Sequence, residues 1–185
     1  MERIQPWTTT IGKFNIADQV DLDVITGAVL ANSMQVNGSF ASIDPNSPEA
    51  ADLVDLRDRC ITPKVLEYIR DEFGMNLAPQ DVDILSQCVC IQDGADLEHH
   101  IHAMSSLTVV MYPVDAASRL VLVDPRGNAA RGYPSYISRG HFGNYRITPK
   151  AGDVYIIPSY ILHSVNAVRD ELRLSFVNDY FLDPN

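Results

Sequence analysis

The sequence predicts helices packed on a many-stranded antiparallel β sandwich or barrel, and three observations carry that expectation. The first third places apolar residues at helical spacing, with helix-start residues ahead of them. After Pro79 the chain breaks into short apolar runs rich in Val, Ile, Leu and Tyr. Those runs are separated by turn-forming stretches, "QDGAD", "DPRGN", "SRGHFGN", "TPKAGD" and "AVRDE". A chain of 185 residues with 46% hydrophobic content suits one domain over residues 1–185 with a good core. It shows no internal repeat, low-complexity tract or linker.

Ile16, Val20, Val24, Ala28 and Leu30 recur at helical spacing behind acidic residues suited to a first turn, and that helix should end before Asn37-Gly38. In "SPEAADLVDLRDRC", Ser47 is a candidate N-cap with Pro48 at the first helical position. "TPKVLEYIRDEFG" repeats the device with Thr62, Pro63 and a terminal Gly74, so two short helices are expected. Strands are expected near residues 83–92, 99–112, 118–123, 153–157, 161–167 and 171–180.

Charge removes whole classes of partner. A formal net charge of −10, without any lysine or arginine cluster, repels phosphate backbones and anionic lipid surfaces, so no nucleic acid partner is expected. The opening "MERIQPWTTTIGKFNIADQV" has no apolar signal core, and no window approaches the roughly 18 uncharged apolar residues of a membrane span. A soluble, cytoplasmic protein without a membrane partner is the expectation. Cys60, Cys88 and Cys90 are odd in number and fit neither a zinc-knuckle nor a C-x-x-C redox spacing, so they are expected to be reduced and structural.

The chemistry-bearing stretch is "DLEHHIHAM", which holds His99, His100 and His102. If residues 99–112 form one strand, period two puts His100, His102, Val110 and Tyr112 on one face and His99 on the other. Two imidazoles at i and i+2 can share a metal ion; the plainer alternative is a solvent-facing pair. His163, on a short strand after "VYIIP", is a candidate third ligand, and Glu98 shares the parity of His100. Beyond a turn at "AVRDE", Arg173 and Ser175 fall on one face of the next strand. An arginine inside an apolar strand needs an anion. A bound carboxylate satisfies that need, as does Asp170, Glu171 or another acid of the chain.

Taken together, "HHIHAMSSLTVVMYPV", "VLVDPRG" and "ITPKAGDVYIIPSYILHSVNAVRDELRLSFVND" resemble the iron(II)- and 2-oxoglutarate-dependent oxygenase superfamily. Within it they are similar to a phage and bacterial group. That group's pattern runs H-x-H-P, a small-residue strand ending in Tyr, D-P-R, then P-x-x-G-x-x-x-x-x-P-x-x-x-x-H and R-x-S with an Asn shortly after. The likeness covers residues 98–181. It implies a double-stranded β-helix, a jelly-roll core over residues 81–181, supported by a mostly helical segment over residues 1–80. It implies Fe(II) held by His100, His102 and His163, and 2-oxoglutarate held through its distal carboxylate by Arg173, Ser175 and Tyr112. It implies an Fe(II)/2-oxoglutarate-dependent dioxygenase, a hydroxylase that couples decarboxylation of 2-oxoglutarate to succinate and CO2 with oxidation of a small-molecule or peptide substrate by oxygen. This chain departs from the pattern at Ala103 and Thr108. Most of the superfamily has H-x-D, so His102 in place of the carboxylate makes the site one unit more positive.

Asp124 and Arg126 of "DPRG" initiate a turn and are candidates for a supporting role at the site. His141, in a glycine-flanked loop, is read as solvated, and Trp7 as capping a core or lining a pocket. Two other readings compete. A three-histidine cupin fits the spacing of "GDVYIIPSYILH" but lacks the glutamate expected after H-x-H. A non-catalytic jelly-roll binding or virion-associated protein keeps the fold without turnover. Neither has a standing need for Arg173, whereas a 2-oxoglutarate site does.

Overall fold

The computed structural model describes residues 8–33, 41–127 and 131–182; Trp7 and the Asn37-Gly38 turn lie outside them. The first element among the described residues is a strand that the sequence did not announce, β1 (Gly12–Asn15). Helix α1 (Leu22–Asn32) follows, capped by Asp21, whose side chain accepts from the amides of Asp23 and Val24. That cap sets the helix's start and its face. Ile25 and Val29 are buried, while Val24 and Leu30, expected on the buried stripe, are 47% and 42% exposed.

After the short strand β2 (Ala41–Ser42), Pro48–Ala50 forms a 3-10 turn behind Ser47, and a helical run continues through α2 (Ala51–Leu56), a π-helical turn (Arg57–Ile61) and α3 (Thr62–Phe73). Thr62 is therefore not a helix cap, as expected, but an interior residue of this run. The π turn lets the hydrogen-bond ladder shift just where Pro63 lacks an N–H. Freed from capping, the Thr62 hydroxyl lies 2.8 Å from that of Tyr180, inside the core. Gly74 ends α3 with φ +68, the left-handed conformation a C-cap glycine supplies.

The remaining strands are β3 (Asp83–Ile91), β4 (Leu97–His100), β5 (Leu107–Met111), β6 (Leu120–Leu122), β7 (Tyr145–Ile147), β8 (Asp153–Pro158), β9 (His163–Val165) and β10 (Arg173–Phe181). A short helix, α4 (Ser135–His141), lies between β6 and β7. All pairs are antiparallel, in a six-stranded sheet ordered β1-β8-β5-β10-β3-β2 and a four-stranded sheet ordered β4-β9-β6-β7. The expected single strand over 99–112 is two strands in different sheets. A turn through residues 101–106, with Met104 at φ +78, carries the chain from β4 in the smaller sheet to β5 in the larger.

Two cores follow from the period-two alternation of the six-stranded sheet. On one face Leu174, Phe176 and Tyr180 pack with Val29, Leu53, Ile61, Val65 and Ile69 of the helices. On the other, Val110, Tyr112, Ile157 and Val177 meet Leu120, Leu122, Ile147 and Val165 of the four-stranded sheet. On β10 the residues on the inter-sheet side of Val177 are Arg173, Ser175 and Asp179, all buried. Among the described residues no helix is long and apolar enough to cross a membrane.

Candidate metal centre and cosubstrate pocket

His100 and His163 are directly opposed on neighbouring strands, as register partners of β4 and β9. His102 is not on their strand. It comes from the turn after β4, which is tied to the end of β8 by the His102 N–H bonding to the Ser159 carbonyl. The ring centroids lie 4.3 Å (His100–His163), 5.2 Å (His102–His163) and 5.4 Å (His100–His102) apart. One ligand atom from each falls within 4.8 Å of the other two.

The partners of these rings fix their tautomers. His100 Nδ1 lies 2.8 Å from the Glu98 carbonyl and His163 Nδ1 lies 2.8 Å from the Ile161 carbonyl. A carbonyl oxygen only accepts, so both Nδ1 atoms carry the proton and the lone pair sits on Nε2. His102 Nδ1 meets the buried Asp179 carboxylate, 2.8 Å from Oδ1 and 2.9 Å from Oδ2, with the same result. Burial lowers His163 from the ordinary histidine value of 6.5 to about 4, and repulsion from His100 and His102 adds to it. Burial lowers His100 as well, so both rings are held neutral, the form that binds metal. Glu98 is exposed and contributes its carbonyl, not its carboxylate. His99 is exposed, 3.4 Å from Ser164 Oγ, on the side of β4 away from His100, as strand parity implies.

Arg173, 2% exposed, lies in the same inter-sheet layer. One terminal nitrogen donates to the Ser118 carbonyl at 3.0 Å, the other to the Tyr112 hydroxyl at 2.9 Å, and Nε has no hydrogen-bond partner among the described residues. The structural salt bridge weighed from the sequence is not formed among the described residues. Glu171 accepts instead from the amides of Ala117 and Ser118, and Asp170 receives no bond from the guanidinium. A cation of this burial with no acid bonded to it among the described residues is costly, a cost that a bound anion would offset. Ser175 is buried two positions along the same face.

Residues 87–179, half of the chain, match the family described as "Putative 2OG-Fe(II) oxygenase". The chain belongs to this family of 2OG-Fe(II) oxygenases. As a 2OG-Fe(II) oxygenase it is an enzyme of a family that uses Fe(II) and 2-oxoglutarate. No curated protein matches its sequence. Among solved structures it is similar to an oxidoreductase of the 2OG-Fe(II) oxygenase family from Burkholderia pseudomallei, at 16% identity and a TM-score of 0.65 over 94% of this chain and 84% of that one. It is similar to a Pseudomonas putida prolyl-4-hydroxylase at 16% identity and a TM-score of 0.58, over 96% and 95%. It is also similar to EvdO2 from Micromonospora carbonacea var. aurantiaca, crystallised with 2-oxoglutarate, at 10% identity and a TM-score of 0.64, over 96% and 88%. These likenesses show a shared fold, the double-stranded β-helix.

The donor set of this 2OG-Fe(II) oxygenase fits its family's metal: three imidazoles, each with Nδ1 engaged by an acceptor and Nε2 left to coordinate, suit Fe(II). Sequence reasoning missed Asp179, Thr108 and Ser159, a buried polar group joined to His102. The Thr108 hydroxyl donates to Asp179 Oδ1 at 2.8 Å and lies 3.0 Å from Ser159 Oγ. Only their lack of any apolar role, in strands otherwise rich in Val and Ile, could have flagged them. Asp124 and Arg126 pair with each other at 2.6 and 2.9 Å, and Arg126 bonded to Asp124 holds that carboxyl down at about 2. They stand on the wall of a cavity of 1080 Å³, which opens between the β1 and β7 edges of the two sheets and is also lined by Lys13, Tyr145, Tyr155 and Ile161. His141 is exposed, and its carbonyl accepts from Arg126. The three cysteines are free thiols, as expected.

Proposed function

We propose that the enzyme oxidises a C–H bond of an organic substrate, as a hydroxylase, with His100, His102 and His163 holding Fe(II) and Arg173, Tyr112 and Ser175 holding the distal carboxylate of 2-oxoglutarate. One observation carries this reading: a buried guanidinium, bonded to a tyrosine hydroxyl but to no acid, shares the inter-sheet layer with three converging imidazoles. When bound, the metal and cosubstrate supply the oxidising chemistry, with oxygen as oxidant and succinate and CO2 as co-products. The chain's own residues do the positioning. The Glu98 and Ile161 carbonyls and the Asp179 carboxylate engage the three Nδ1 atoms and so leave each Nε2 to hold the metal. Arg173 presents its fork already oriented by Ser118 and Tyr112, so little side-chain entropy is lost on binding a carboxylate. The Tyr112 ring, whose centroid lies 4.9 Å from the guanidinium carbon, excludes water and strengthens that contact.

The cavity beside the site is the candidate substrate cleft. Ile161, whose carbonyl orients His163, lines it, as does Tyr155, whose ring lies 6.2 Å from that of Tyr112. Its volume, 1080 Å³, suits a drug-sized molecule or a few residues of peptide. The test is anaerobic: protein loaded with Fe(II) should develop a weak visible charge-transfer band on addition of 2-oxoglutarate. Arg173→Met should need far more cosubstrate to reach the same band, because removing one partner of a buried charged contact costs about 2–5 kcal/mol. Equal titration curves for the two proteins would sink the oxygenase reading of the pocket and favour the cupin.

A further inference from the structure

Asp179, which orients His102, is a buried acid whose negative charge the proposed metal centre does not yet use. It is 5% exposed, near the end of β10 on the face between the sheets. Its oxygens receive the His102 Nδ1–H and the Thr108 hydroxyl, and no lysine or arginine side chain is bonded to it among the described residues. A buried carboxylate without a cationic partner is costly, and the groups that satisfy it are arranged around one imidazole. The Ser105 hydroxyl lies 3.1 Å from the His102 carbonyl and 2.7 Å from Ser159 Oγ, so the turn bearing His102 is laced to the same polar group.

We propose that Asp179 is a positioning residue that supplies the centre's missing negative charge through His102, from outside the ligand shell. The inference rests on the three-histidine reading of the site. A carboxylate that accepts from Nδ1–H holds the imidazole with Nε2 toward the other two rings and makes that nitrogen a stronger donor. It also gives a divalent ion, surrounded by three neutral imidazoles, a compensating charge one ring away. Asp179 and Thr108 are register partners on β10 and β5, so the strand pairing itself holds the carboxylate at the height of the turn. The alternative role is structural, a hydrogen-bonded tie between β10 and the turn.

Asp179→Asn separates charge from tie, because its amide oxygen still accepts from His102 while its NH2 donates to the Thr108 hydroxyl, which can turn to accept. Metal-free full-length protein is titrated with Co(II) and followed by visible absorption, alongside thermal melts without metal. Asp179→Asn should bind Co(II) about 10–100-fold more weakly than wild type, with shifted d–d bands and no loss of metal-free melting temperature. Wild-type affinity with unchanged bands in Asp179→Asn would overturn the proposal and leave Asp179 a tie. His163→Ala keeps the two readings apart: if it binds Co(II) as wild type does, the three-histidine site itself is wrong. Should Asp179→Asn fail to fold, the wild type decides alone. Nitrogen-15 spectra of the Zn(II)-loaded protein should show His102 protonated at Nδ1 and bound to metal at Nε2; the opposite assignment overturns the proposal.

Discussion

Burial acts on the proposed ligands before any metal does. His163 is 4% exposed, and burial, joined by repulsion from its two neighbours, lowers it from 6.5 to about 4. In the unfolded chain it titrates near the ordinary value, so between these limits the unfolded chain binds a proton that the folded chain refuses. His163 therefore leaves stability unaffected above about pH 6.5 and erodes it as pH falls toward 4, by about 3 kcal/mol in all. Denaturant unfolding of metal-free protein should show this loss between about pH 7 and pH 4, and His163→Gln should show a smaller one. A slope identical in both proteins would mean that another group sets the acid limit. At this scale the sequence was partly legible. His100, His102 and His163 stand out because an acidic chain concentrates them, and Arg173 because charge inside an apolar strand demands a partner. Asp179 does not stand out. In "SFVND" it is one more polar residue near the end of a strand, and its contacts, His102 and Thr108, lie 77 and 71 positions away.

The arrangement of elements brings the histidines together by a route other than the one their spacing suggested. H-x-H suggested one face of one strand, but the strand ends at His100, and the turn that follows swings His102 back toward the β4–β9 pair. Apolar periodicity does not register such a break, because residues on both sides of the turn alternate in the same phase. The helices show a related limit. Thr62-Pro63 has the composition of a helix start, yet the π turn before it lets α2 and α3 run on, an outcome decided by packing against β10 rather than by local preference. Glycine punctuation was more dependable where backbone geometry requires it. Gly152, in "TPKAGD", has φ +80, and its carbonyl accepts from Ile16 N–H at 3.0 Å. A Cβ there would sit 2.7 Å from the backbone nitrogen of Ala17, which has little room to move. Gly152→Ala should thus cost at least about 1–3 kcal/mol from backbone strain alone, more with the clash, seen as a lowered melting temperature. Wild-type stability in this variant would show that the turn and the β1–α1 segment are not rigidly docked.

Across the whole molecule the candidate site is a joint between the two sheets. His100 and His163 belong to the four-stranded sheet; Arg173 and Asp179 belong to the six-stranded one. Arg173 also bonds the Ser118 carbonyl just ahead of β6, so the buried guanidinium already spans the layer between them. Sequence periodicity gave most of the strands, missing β1, β2 and β7, but not which of them face one another. The family resemblance implied one site for these residues; the topology sets His163 beside His100 and leaves Arg173 buried on β10 of the other sheet. A ligand bound at such a joint stabilises both sheets at once, and its effect on unfolding follows mass action. At a concentration of about 100 times its dissociation constant a ligand adds about 2.7 kcal/mol. For a chain of this size that corresponds to a rise of roughly 5–10 °C in melting temperature. Mn(II) alone should raise the melting temperature of wild type and of Arg173→Met alike, because the guanidinium is not a ligand. Under anaerobic conditions 2-oxoglutarate should add a second increment in wild type, only when metal is present, and little or none in Arg173→Met. A cupin-like metal site gives the first increment without the second, and a non-catalytic jelly roll gives neither. A second increment that survives loss of Arg173 would place the cosubstrate elsewhere and require a different account of why this arginine is buried.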